Sequence, residues 1–227
     1  MNRNVAMIHA TRAAIEPAHT AMQEALPDVE IVHYLDEALL SVAKKKGPIS
    51  PEVSRRLLRM LVSAEEGGAC VALMTCSSLT ANADFLEPMV RFPIVKIDTP
   101  MMERAISLGA KIGVVATMSS AVDPAREQLE QIARERGVNI EPRFVVVKGA
   151  FQALLDKDTE THDRLVMEKI RGRARSCDAI IPAQASIARV AARKDLNIQA
   201  PILTSPPLAA ARVKEIYHRE EKAFHNT

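Results

Sequence analysis

Of the three cysteines in this 227-residue chain, one stands where a thiol can do chemistry. Cys76 closes an apolar run, Val71–Thr75, and precedes two small hydroxyl residues, Ser77 and Ser78. A strand that stops at such a triplet and turns into a helix leaves free backbone N–H groups at the turn. A thiol held there is expected to ionise more easily, its pKa falling from about 8.5 toward neutrality. Cys76 is therefore the candidate catalytic group, as acid/base or as nucleophile. The competing reading is a buried small apolar side chain, the common fate of a free cysteine. Cys70 and Cys177 act as internal controls. Each lies near the start of an apolar run, so Cys70 is expected about 20 Å from Cys76 at ~3.3 Å per strand residue, and both are expected to be inert.

Three more apolar runs end in the same style, at His9-Ala10-Thr11, at Thr117-Met118-Ser119-Ser120 and at Gln184-Ala185-Ser186. Open parallel sheets bind ligands outside the carboxyl ends of their strands, and a helix start there favours an anion. The four ends together point to a small carboxylate substrate. His9, Thr11, Ser77, Ser78, Thr117, Gln184, Ala185 and Ser186 are the candidate binding residues around Cys76. Thr11 and Thr117 read either as carboxylate donors or as helix caps, and His9 either as an acid/base or as a packed histidine. Asp98 stands near the mouth of the same region or caps the segment before Pro100.

The elements that must position these residues are written twice. Val71–Ser78 resembles Ala179–Ser186 in pattern, which sets Cys76 against Gln184 at an offset of 108. Pro93 and Pro201 repeat the offset of 108, Thr11 and Thr117 are 106 apart, and the prolines that follow them, Pro17 and Pro124, are 107 apart. A period that long describes two small domains rather than a solenoid. Each half alternates strand and helix. The strands of the first are Val5–His9, Glu30–Tyr34, Val71–Thr75 and Ile94–Ile97; those of the second are Ile112–Ala116, Phe144–Val147, Ala179–Ile181 and Ile202–Thr204. Pro17–Leu26 reads as an amphipathic helix, and Ser50-Pro51 opens another that Gly67-Gly68 closes.

Continuous apolar strands separated by helices predict parallel sheets covered on both faces. The expected fold is α/β, two pseudo-symmetric doubly wound, Rossmann-like domains with the site between them. Thr99-Pro100 and Ser205-Pro206-Pro207 mark the crossings, giving 1–98 plus 208–227 for the N-terminal half and 99–207 for the C-terminal half. The last helix, Leu208–Phe224, is expected to return to the first half.

Composition excludes several functions. Hydrophobic residues at 48% against 26% charged are a normal globular balance, able to fill a core. A net charge of +2, spread along the chain, predicts neither nucleic-acid nor membrane binding, and Lys44-Lys45-Lys46 reads as a solvated loop or helix end. Aromatic residues are 3%, which argues against stacking platforms and favours a small aliphatic acid. No G-x-G-x-x-G, P-loop or H-E-x-x-H occurs, so neither a cofactor nor a metal is expected. No apolar stretch reaches membrane-spanning length, no signal-peptide pattern opens the chain, and unpaired cysteines suit a reducing compartment. The cytoplasm is the expected location.

On Cys76-Ser77-Ser78, Ala116-Thr117, Asp178-Ala179-Ile180-Ile181 and the two-half design, the chain resembles the aspartate/glutamate/hydantoin racemase superfamily along nearly its whole length. The resemblance implies a cofactor-free and metal-free enzyme, a site between pseudo-symmetric domains, and a homodimer. It also implies a cysteine on each face of the substrate carbon, and there the chain departs: the second position is Gln184, flanked by Ala183 and Ala185. A glutamine amide donates and accepts hydrogen bonds but shuttles no proton near neutral pH. Two-base racemisation needs a proton carrier on each side.

Three readings follow. The first is a cofactor-independent racemase- or isomerase-like enzyme acting on a small carboxylate through a single thiol. The second is a one-cysteine decarboxylase or carbon–carbon lyase of the same fold, in which Gln184 and Ser186 bind a carboxylate or carbonyl oxygen. Arylmalonate-type decarboxylases of the family keep the second cysteine rather than the first. The third is an inactive small-acid-binding protein whose Cys76 has an ordinary pKa. If racemisation is the reaction, a second base must come from elsewhere, and His9 is the imidazole placed for it.

Overall fold

Residues 3–191 and 198–225 are described by the computed structural model, without the side chains of residues 185, 186, 189 and 223–225. In chain order the elements are β1 (Asn4–His9), α1 (Ile15–Ala25), β2 (Ile31–Leu35), α2 (Ala38–Lys46), α3 (Pro51–Glu66), β3 (Ala69–Met74), α4 (Ala83–Leu86) and β4 (Ile94–Lys96). There follow α5 (Thr99–Leu108), β5 (Lys111–Ala116), α6 (Val122–Glu135), β6 (Glu141–Val146), α7 (Ala150–Leu155), α8 (Thr159–Ala174), β7 (Ala179–Pro182), α9 (Ala185–Ala191) and α10 (Ser205–His225). They form two compact units, one of Met1–Pro100 with Pro206–Thr227, the other of Met101–Ser205.

The first unit is built on a parallel sheet of order β2-β1-β3-β4. Successive strand residues point to opposite faces, and both faces here are apolar. Val5, Met7, Val71 and Leu73 meet Ala18 and Met22 of α1 and Ala209, Val213 and Tyr217 of α10. Ala6, Ile8, Ala72 and Met74 meet Leu39 of α2 and Val53, Leu57 and Leu61 of α3. The caps of α3 follow the sequence. Ser50 accepts a hydrogen bond from the Val53 N–H, Pro51 occupies the first turn where no N–H is needed, and Gly67 ends the helix. Helix α2 was not anticipated beyond its end. Lys44, Lys45 and Lys46 form its last turn, where cations suit the helix dipole.

The second unit repeats the order with β6-β5-β7, again parallel. One face packs Val115 and Ile180 against Ala150 of α7, Val166 and Ile170 of α8, and Ile187 and Val190 of α9. The expected strand over Ile202–Thr204 is corrected to a single bridge between Ile202 and Ile180. Ile180 donates to the Pro201 carbonyl and accepts from Leu203, but α10 begins at Ser205 and leaves no length for a ladder. The repeat is also visible in detail. A three-residue 3-10 turn precedes both α1 and α6, Arg12–Ala14 and Ser119–Ala121, and Pro17 and Pro124 each take the third helical position. There the missing N–H would have had no helical partner.

Candidate active site

Cys76 follows β3 directly and caps a 3-10 turn, Ser77–Asn82, that passes into the four-residue α4. Asn82 fixes this turn. Its amide donates to the Pro48 and Leu79 carbonyls, each at 2.9 Å, and its oxygen accepts from the Ser54 hydroxyl at 2.8 Å. The thiol packs half-buried on the α3 face of the sheet, with its sulfur 3.4 Å from the Ser78 hydroxyl. Ser77 and Ser78 are exposed. The expectation of a lowered thiol pKa is corrected. Burial pushes the Cys76 pKa up, and Asp98 adds to that, against the Ser78 hydroxyl and backbone N–H, which pull it down. A short 3-10 turn supplies too little positive potential to outweigh desolvation. Cys76 thus rests as a thiol, a proton donor.

His9, at the end of β1, is fully buried. Its Nδ1 lies 2.9 Å from the Thr75 hydroxyl oxygen and its Nε2 lies 2.9 Å from Nδ1 of His33. His33, on β2, in turn places Nε2 3.0 Å from Nδ1 of His19 on α1. Burial, and next to it His33, lowers the His9 pKa to about 4, so the ring is neutral near pH 7. The strand register explains the pairing. His33 lies opposite Met7 and Leu35 opposite His9, so the two histidines sit on the same face, the one covered by α1. Thr11 is engaged in capping, its hydroxyl accepting from the Ala13 N–H at 3.1 Å.

In the second unit, Gln184 and Thr117 come together. The Gln184 amide oxygen accepts from the Thr117 N–H at 2.6 Å, the Thr117 hydroxyl at 3.0 Å and the Met118 N–H at 3.3 Å. The donors at this strand end are thus aimed at one oxygen, and that oxygen belongs to Gln184. Ala185 and Ser186 open α9, and their side chains lie outside the described residues. Of the sequence candidates, His9, Cys76, Ser77 and Ser78 gather at the strand ends of the first unit, and Thr117 with Gln184 at those of the second. Thr75, His33 and His19 were missed as partners of His9. The signal was available: His9 and His33 share a sheet face once adjacent parallel strands are paired. Among the described residues, no three His, Cys, Asp or Glu side chains are grouped to hold a metal ion. None of their helices is long and apolar enough to cross a membrane.

The sequence matches the family described as Asp/Glu/Hydantoin racemase over residues 5–213. The chain belongs to this family. Solved structures agree on the fold of the Asp/Glu/hydantoin racemases. An allantoin racemase from Klebsiella pneumoniae has a TM-score of 0.73 at 16% identity, covering 96% of this chain and 89% of its own. A glutamate racemase isoform from Bacillus anthracis has 0.70 at 15% identity, covering 96% and 82%. A glycine-to-cysteine mutant of arylmalonate decarboxylase, in a sulfate-associated form, has 0.55 at 20% identity, covering 93% of each chain. A comparison with curated proteins gives no significant match.

Proposed function

We propose that this protein is a cofactor-independent isomerase of racemase type, acting on a small carboxylate with Cys76 as the acid/base. The observation that carries the reading is the placement of Cys76 at the end of β3, half-buried beside Ser78, in a chain of the racemase family. A thiol kept protonated by burial gives its proton to a carbanion or enolate carbon, formed when a second proton carrier has taken the Cα proton from the opposite face. In the reverse direction the thiolate takes that proton and the second carrier returns one.

One observation favours a second reading, decarboxylation. Gln184 stands where the first reading calls for another thiol, and its oxygen is held by three donors. Loss of CO₂ leaves an electron pair on the α-carbon as an enediolate. A single S–H then suffices to protonate it, and solvent restores the thiol.

The test is incubation in deuterium oxide with a panel of small amino and dicarboxylic acids. Deuterium at Cα with the carbon skeleton intact supports the isomerase, and release of CO₂ supports the decarboxylase. Either activity should fall by about 10²–10⁴ in Cys76→Ala. If neither reaction occurs but an acid protects Cys76 from iodoacetamide, the protein binds small acids without turning them over.

A further inference from the structure

We propose that His19, His33, His9 and Thr75 form a one-proton relay running from the α1 side of the first unit to the strand end that carries Cys76. The three contacts, 3.0, 2.9 and 2.9 Å, join a ring nitrogen of each group to the next, so the chain is unbroken. Such a chain has a direction. A neutral imidazole has one N–H and one bare nitrogen, so each link is made only if all three rings carry the proton on the same nitrogen.

With Nδ1–H in all three, His19 donates to His33, His33 to His9, and His9 to Thr75, whose own hydroxyl donates to the Ile8 carbonyl at 3.1 Å. With Nε2–H in all three, every bond reverses and Thr75 donates to His9. Both states leave no link empty.

One added proton also fits. If any one ring holds it, the rings on either side orient away and every link remains a hydrogen bond. Two added protons force two N–H groups to face each other in some link. The chain therefore accepts one excess proton and rejects a second.

The surroundings support this. His9 and His33 are shifted toward the neutral form by burial first and then by the neighbouring imidazole, His33 and His19 respectively. Of the elements packed around the chain, β2 contributes His33, α1 contributes His19, the residue after β3 is the uncharged Thr75, and α10, on the same sheet face, contributes Ala209, Val213 and Tyr217. The carboxylate of Asp36 beyond β2 is already paired with Arg56, at 2.6 and 2.9 Å.

The inner end lies at the strand end where the reaction proposed above calls for a proton carrier besides the thiol, and that reaction would use it there. Ile8 is in register with Met74, and the Thr75 N–H donates to the Ile8 carbonyl, so His9 stands one pairing step before the position of Cys76. That use rests on the proposed function; the relay itself does not.

The test reads the relay directly, by ring-nitrogen NMR of histidine-labelled protein titrated from about pH 8 to about pH 4. In the neutral protein all three rings should show the same tautomer. On acidification their signals should move together at one midpoint, with uptake of one proton shared among them. In His33→Phe the chain is cut, so the His9 and His19 signals should no longer move together. Opposite tautomers in any two rings, or independent uptake of two protons in the wild-type chain, would overturn the proposal. The tautomers of the unmutated protein decide the matter even if the variant fails to fold. Since no substrate enters, a negative result here leaves the deuterium experiment on Cys76 untouched.

Discussion

A thiol and an imidazole at neighbouring strand ends are pushed in opposite directions by the same cause, and both are left neutral. Burial raises the pKa of Cys76 and lowers that of His9. In the free protein, alkylation of Cys76 by iodoacetamide should reach half its maximal rate at a more alkaline pH than an ordinary thiol. A midpoint near neutrality would contradict the burial argument. For His9 the sign is fixed by proton counting. The unfolded chain binds a proton at about 6.5, the folded one at about 4, so between these values the unfolded state holds more. Stability is therefore full above about pH 6.5 and falls on acidification toward about pH 4. Urea unfolding at both ends of that window checks it. Gln184→Ala should cost about 1–3 kcal/mol by leaving the Thr117 and Met118 donors without their acceptor. Unchanged thermal stability would mean that water replaces the amide at no cost. The position of Cys76 was legible in the sequence because strand ends are local. Its pKa direction was not, because Asp98 and the burying side chains arrive from elsewhere in the fold.

Among the elements, α3 shows what local signals achieve when they agree. Serine cap, first-turn proline and terminal glycine all mark the same boundaries, and the buried side of the helix supplies Val53, Leu57 and Leu61 to the core. Ser50→Ala should destabilise by about 1 kcal/mol through loss of the cap, and Leu57→Ala by about 2–5 kcal/mol through the cavity it leaves. Chemical denaturation of the two variants should rank them in that order. Helix α2 escaped notice because only Leu39 among its residues is fully buried, so its apolar face is too narrow to read. The error at Ile202–Thr204 has the opposite origin. An apolar run suggested a strand, but hydrogen bonding to Ile180 stops at Leu203 and the serine that follows opens a helix. Apolar character alone does not count ladder bonds.

For the molecule as a whole, the repeat read from Pro17 and Pro124 and from Cys76 and Gln184 reappears as two sheets with the same strand order, second–first–third. What the repeat did not reveal is that equivalent strand ends have diverged, one carrying a thiol, the other an amide whose oxygen accepts from Thr117 and Met118. One feature of the chain path also governs how the protein is made. The first unit is assembled from both ends of the sequence, since Ala209, Val213 and Tyr217 of the final helix complete the core around Val5 and Met7. As a ribosome delivers the chain, residues 1–100 emerge early yet keep the part of one sheet face beside α1 uncovered until the last helix arrives. The intervening unit is contiguous and has all its residues available first. Newly made chains should therefore become protease-resistant from the middle outward, and a chain stopped before Pro206 should leave part of an apolar sheet face open to chaperones.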